Sequence, residues 1–146
     1  MKVLFLCMRN SCRSQMAEGW TRHLKAGVVE PCSAGTDAGR LDPRAVTVMA
    51  EAGVDISGQR SKLVAELKGI DFDYVVTVCD RAHSRCPVFS GKTVKVVHAA
   101  FDDPPQLAAN ARTEEEALQH YRRVRDEIRA FVDKLPDVLS SQAFDH

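Results

Sequence analysis

The sequence lacks a long apolar run and has no excess of either charge. At the N-terminus only Val3 to Met8 is apolar before Arg9 intervenes, too short for the apolar region of a secretory signal or for a membrane span. Twenty basic residues balance twenty acidic ones, so the overall charge does not point to nucleic acid or to a membrane surface. Any anion site has to be built locally. No C-x2-C pair occurs, and His83 stands alone between Cys79 and Cys86, which disfavours zinc or any other structural metal. Internal repeats, low-complexity tracts and linkers are also missing. The five cysteines, Cys7, Cys12, Cys32, Cys79 and Cys86, are an odd number in a chain with no export signal, so a disulfide framework is not expected.

What remains is a chain of 146 residues, 45% apolar and 27% charged, enough for one core. We expect a single cytoplasmic domain over residues 1–146, its last ten residues a loose tail, with reactive or buried thiols.

Val3-Leu4-Phe5-Leu6 runs into Cys7 as a continuous apolar stretch, the pattern of a parallel strand covered on both faces. Met16, Trp20 and Leu24 then recur every four residues among polar Glu18, Thr21, Arg22 and Lys25, which predicts an amphipathic helix. A short strand is expected over Val28 to Ser33, and a helix after Asp42-Pro43 with Val46, Met49 and Ala50 inward and Gly53 as its stop. A shorter helix is expected over Ser61 to Leu67. Tyr74 to Val78, leading into Cys79, and Val94 to Val97, leading to Phe101-Asp102-Asp103-Pro104, read as further buried strands. Thr113 with Glu116 forms a capping-box signature for a helix that keeps Leu118, Tyr121, Val124, Ile128, Phe131 and Leu135 on one face up to Pro136. This alternation predicts an α/β fold: an open, mainly parallel four-stranded sheet with helices on both faces, binding its ligand at the C-terminal edge of the strands.

Cys7-Met8-Arg9-Asn10-Ser11-Cys12-Arg13-Ser14 has the form C-x5-R-S between a buried strand and an amphipathic helix. Five intervening residues can wrap backbone N–H groups round a tetrahedral anion, and the helix adds the positive end of its dipole. Arg13 supplies a planar fork for two anion oxygens, which lysine lacks. The same surroundings favour the thiolate of Cys7, with Ser14 as its hydrogen-bond donor. The plainer alternative is a cysteine packed at a strand end beside an arginine that caps a surface charge.

Residues 10 to 20, Asn-Ser-Cys-Arg-Ser-Gln-Met-Ala-Glu-Gly-Trp, resemble the low-molecular-weight protein tyrosine phosphatases and, within them, the arsenate reductase branch. The likeness continues through Ser33-Ala34-Gly35, Val76-Thr77-Val78-Cys79, Asp102-Asp103-Pro104 and Arg123-Val124-Arg125-Asp126-Glu127-Ile128. It implies a nucleophilic Cys7, an oxyanion loop of residues 8 to 13, Asp103 as general acid in preference to Asp102, and arsenate as substrate. Cys79 would attack the Cys7 adduct, Cys86 would resolve the Cys7–Cys79 disulfide, and thioredoxin would reduce the final Cys79–Cys86 disulfide. Without the fold context, a buried strand-end thiol for Cys79 and an incidental surface thiol for Cys86 are the readings to prefer. Seven residues of intact helix would separate their Cα atoms by about 10.5 Å, beyond the roughly 4.4–6.8 Å of a disulfide, so residues 80 to 86 would have to rearrange on oxidation. Cys12 is expected to serve loop packing and Cys32 to be a small buried hydrophobe.

Some members of the family hold potassium beside the loop with side chains matching Asn10, Glu18 and Ser33, plus an acidic residue where this chain has Lys62. No cofactor is therefore expected. Lys62 is either a built-in cation facing Glu18 or a solvated helix residue. Two other functions compete with the reductase: a phosphotyrosine phosphatase, which would not need Cys79 and Cys86, and a non-catalytic oxyanion or redox sensor, which would not need Asp103. Asp103-Pro104 is followed by Pro105-Gln106-Leu107 rather than by the aromatic pair of the tyrosine phosphatases.

Overall fold

A computed structural model describes residues 1–79, 94–142 and 144–145. The segment 80–93, with Cys86, His83 and the rearrangement expected over residues 80 to 86, lies outside the described residues.

Four parallel strands, β1 (Lys2–Cys7), β2 (Glu30–Gly35), β3 (Tyr74–Thr77) and β4 (Lys95–His98), lie in the order β2-β1-β3-β4. Val3, Leu4, Phe5 and Leu6 have no exposed surface, so both faces of β1 are covered, and each such side chain contributes roughly 1.5–3 kcal/mol through burial. The chain leaves β1 to one side to form β2 and returns on the other side to form β3. The switch point therefore falls between the C-terminal ends of β1 and β3, where open α/β sheets bind ligands. Leu6 pairs in register with Thr77, and Val78 N–H bonds to the Leu6 carbonyl at 3.0 Å. Cys7 and Cys79 thus leave the sheet at the same edge from neighbouring strands.

The helices are α1 (Arg13–Leu24), α2 (Pro43–Glu51), α3 (Pro104–Ala108), α4 (Glu114–Asp133) and α5 (Asp137–Gln142). In α1, Glu18 and Thr21 are buried alongside Met16 and Trp20, although their polarity suggested the solvent face. Thr21 satisfies its hydroxyl on the Ala17 carbonyl at 2.8 Å, while Glu18 is buried for a reason that belongs to the site. Asp42 caps α2 as expected, accepting from Arg44 N–H at 2.9 Å. The inner face of α2 is Ala45, Val48 and Met49, however, and Ala50 is exposed. Ala45 and Val48 stand three residues apart and take the core side, which turns the stripe by one position.

Residues Val64–Leu67 make only a short 3-10 turn, so Lys62 precedes it in extended chain, and Leu63 bridges to Gly35. At the start of α4, Thr113 accepts from Glu116 N–H at 3.0 Å, but the Glu116 carboxylate takes Arg112 N–H instead of closing the capping box. The end of the chain differs from the expected loose tail: α5 buries Leu139 completely, and a two-residue strand β5 (Phe144–Asp145) adds antiparallel to β4. No helix among the described residues is long and apolar enough to cross a membrane.

Candidate active site

The loop from Cys7 to Cys12 wraps the start of α1, which begins at Arg13, so the free N–H groups of the first helical turn sit beside the loop. Asn10 holds the loop's reversal with φ +52°, a conformation that asparagine tolerates better than most residues. Its side chain faces inward and is fully buried. Asn10 Oδ1 accepts from Lys62 N–H at 2.9 Å and from Gln15 Nε2 at 3.0 Å, which leaves Nδ2 to donate to Ser14 Oγ at 2.8 Å. Ser14 Oγ lies 2.9 Å from Cys7 Sγ. That oxygen accepts from Asn10 and keeps its own hydrogen available for the sulfur.

The outside of the loop rests on glycine. A Cβ at Gly35 would lie 2.8 Å from Met8 O and from Arg9 C, and 2.9 Å from Asn10 N. These are backbone atoms that cannot swing aside, so β2 approaches the loop only because residue 35 has no side chain. Gly39 presses on Arg9 in the same way. Gln15, fully buried, donates to the Asn10 and Arg60 carbonyls and accepts from Gln59 Nε2 at 2.8 Å. Gln15, Gly35, Gly39 and Gln59 had no assigned role in the sequence. The one available signal was that a glutamine at the third position of an amphipathic helix is buried only when it has partners.

Arg13 donates to the Phe101 carbonyl at 2.9 Å, and its other terminal nitrogen lies 3.7 Å from Asp103 Oδ1. Asp103 sits at the N-cap of α3, before Pro104, but its side chain makes no cap hydrogen bond, so the carboxyl is left facing the arginine. Asp102 points elsewhere and pairs with Arg123 at 3.0 Å. The two neighbouring aspartates are therefore separated by their partners.

Cys7, Met8, Arg9, Ser11, Cys12, Arg13, Cys79, Asp102 and Asp103 all line one cleft of about 1140 Å³ at the sheet edge. Asn10 and Ser14 lie buried beneath it. Cys79 is 5% exposed. Cys12 is buried, and desolvation, with Asp42 nearby, pushes its thiol well above the ordinary range. It is held in the neutral form at neutral pH, in keeping with packing. Cys32 is half-buried, and burial raises its thiol too.

Behind the loop, the Glu18 carboxylate is clasped on both sides. Oε1 accepts from Ser33 Oγ at 2.5 Å and lies 3.8 Å from Lys62 Nζ, while Oε2 takes Arg22 at 2.7 Å. Lys62 Nζ also donates to the Arg60 carbonyl at 3.2 Å, and the Lys62 side chain is 13% exposed. It is not the solvated helix lysine of the plainer expectation. The backbone of Lys62 ties the strand end to the loop, since its carbonyl accepts from Gly35 N–H at 2.8 Å while its N–H holds Asn10.

Comparison with known proteins adds to this geometry. An arsenate reductase of Shouchella clausii is 43% identical over 135 residues, covering 92% of this chain and 94% of its own length. An arsenate reductase of Bacillus subtilis is 44% identical over 126 residues, 86% of this chain and 88% of its own. Among solved structures, an arsenate reductase in the oxidised state superposes with a TM-score of 0.73 at 31% identity, covering 94% of this chain and 98% of the other. A family model described as low molecular weight phosphotyrosine protein phosphatase matches residues 2–143. With that match over nearly the whole length, and with relatives at this level of identity, the chain belongs to the low molecular weight phosphotyrosine protein phosphatase family.

Proposed function

We propose that this protein is a cytoplasmic arsenate reductase that passes two electrons through Cys7, Cys79 and Cys86. The observation that carries this reading is that Cys79, a buried thiol at the end of the strand next to β1, lines the same cleft as Cys7, Arg13 and Asp103. Hydrolysis of a phosphate ester has no use for it, whereas reduction of an oxyanion requires it.

Arsenate enters the loop, where backbone N–H groups and the Arg13 fork hold its oxygens. The Cys7 thiolate forms a bond to arsenic, and one arsenic–oxygen bond breaks, its oxygen leaving as water with a proton from Asp103. Asp103 is placed for this step beside Arg13, which would hold the oxyanion, while Asp102 is engaged by Arg123. The Cys79 thiolate then attacks Cys7 Sγ. The sulfur–arsenic bond breaks, its electron pair remains on arsenic, and arsenite leaves behind a Cys7–Cys79 disulfide. Cys86 attacks Cys79 Sγ by thiol–disulfide exchange, Cys7 departs as thiolate, and a reduced thioredoxin dithiol opens the resulting Cys79–Cys86 disulfide.

Single-turnover arsenite release from fully reduced protein, with no external reductant, tests the whole scheme. One arsenite per chain and a mass-mapped Cys79–Cys86 bridge are expected. Steady hydrolysis of an aryl phosphate with no arsenite would make the protein a phosphatase instead.

The residues around Glu18 do not fit a potassium ion. One carboxylate already faces two cations, Lys62 and Arg22, and a third positive charge beside it would be repelled by both. On our reading, Lys62 is the built-in cation that sets Glu18 and presents the backbone N–H to Asn10. Replacing sodium by potassium at constant ionic strength should then leave the arsenate reduction rate unchanged. A several-fold stimulation would reject this role.

A further inference from the structure

The cleft above the loop, about 1140 Å³, exceeds even the roughly 300–1,000 Å³ typical of pockets for drug-sized ligands. A tetrahedral oxyanion fills only the bottom of it. Three arginines line the walls: Arg9, Arg13 and Arg40. Arg13 belongs to the cradle. Arg9 and Arg40 are exposed, and neither guanidinium is joined to a described carboxylate.

The acids of the same cleft are already engaged. Asp42 accepts from Tyr121 Oη at 2.6 Å and from Arg44 N–H, Asp102 pairs with Arg123, Asp103 faces Arg13, and Asp37 has an interaction of its own. Arginines on the neighbouring surface are paired as well, Arg44 with Glu114 and Arg122 with Glu51. Among the described residues, Arg9 and Arg40 are thus the two cations of this cleft that pair with no carboxylate.

Their proximity is fixed by the backbone. The Arg9 carbonyl accepts from Ser61 Oγ at 2.7 Å, and Gly39, the residue immediately before Arg40, lies directly against Arg9. Only a glycine permits that approach, so the β2–α2 connection delivers Arg40 to the same side of the cleft as Arg9.

We propose that Arg9 and Arg40 form an outer anion-capture pair that draws the oxyanion into the cleft before the Cys7 loop receives it. This inference rests on the proposed function for the identity of the substrate. Positive charge on the walls of a cleft focuses the field and raises the capture rate of an anion. Arsenous acid is neutral at neutral pH, so the pair favours the anionic substrate over its product. It acts on capture and takes no part in bond making.

The test is titration of inorganic phosphate into the full-length reduced protein and into an R9Q/R40Q double variant, at low and at high salt. At low salt the variant should bind phosphate about tenfold more weakly, and the gap should shrink to about twofold at high salt, where exposed charges are screened. In turnover, kcat/KM for arsenate should fall in parallel with the phosphate affinity. An R9K/R40K variant should restore both the affinity and its salt dependence. Equal phosphate affinity in variant and parent, a loss that persists at high salt, or failure of the lysine variant to rescue would each overturn the capture pair. Phosphate binding as expected, in a protein that releases no arsenite, would instead remove the proposed function and leave the pair standing.

Discussion

Replacing Cys7 by serine is expected to abolish arsenite release while leaving the oxyanion loop able to bind phosphate. Loss of a covalent nucleophile costs on the order of 10⁵ or more in rate, about 7 kcal/mol of transition-state stabilisation. The alcohol is a far weaker nucleophile than a thiolate, and it has no electrons to pass to arsenic through a disulfide. Binding should survive because it depends on the loop N–H groups and on Arg13. The loop shape depends on Asn10, Gln15 and Gly35, none of which needs the sulfur. Phosphate titration and arsenite release on the same preparation separate the two properties. Arsenite formation at a tenth of the parent rate by the Cys7→Ser enzyme would place the chemistry on another thiol.

The second large effect is expected at Cys86. A Cys86→Ser enzyme should release one arsenite per chain in a burst and then stop, trapped as the Cys7–Cys79 disulfide. In the proposed relay only the third thiol can free Cys7 for another round. Quenched-flow arsenite measurement gives the burst, and mass mapping of the non-reduced protein gives the bridge. Normal multiple turnover on thioredoxin would show that Cys79 is reduced directly and that Cys86 is dispensable.

The phosphatase and reductase chemistries share their first half. Cys7, Arg13 and Asp103 can serve attack on phosphorus or on arsenic, and the family match by itself does not choose between them. The choice turns on what lies beyond the adduct. Past Asp103 the cleft wall continues with Pro105 and Gln106 in place of an aromatic pair, and Phe101 is the one aromatic side chain that lines the cleft among the described residues. Across from them, Cys79 offers an electron donor.

Much of this was legible in the order of residues. The C-x5-R-S loop between an apolar strand and an amphipathic helix specifies an anion cradle because each part constrains the backbone locally: the strand by continuous burial, the helix by its period, the loop by its length. Asp42 as a cap and Pro43 as first helical residue are local in the same sense. The signals failed where a residue's partner was remote in sequence. Glu18 looked solvent-facing on the helical wheel, and only the family resemblance set it with the distant Ser33 and Lys62 that help to bury it. The tail from Asp137 onward looked loose, yet Leu139 is buried and β5 completes the sheet edge against β4.

By itself, the sequence determined the groups that the proposed chemistry draws on: a cysteine ahead of an arginine-closed loop, an acid before proline, and further thiols. The tertiary structure alone decided which of these groups meet. Crossing from β2 to β3 brings Cys79 to the same cleft as Cys7, Arg123 pairs with Asp102 while Asp103 faces Arg13, and glycine contacts bring the segments of Arg9 and Arg40 together. The physical reason is range. Propensity, capping and loop length act over a few residues, whereas burial and charge pairing are settled only when segments tens of residues apart share one surface.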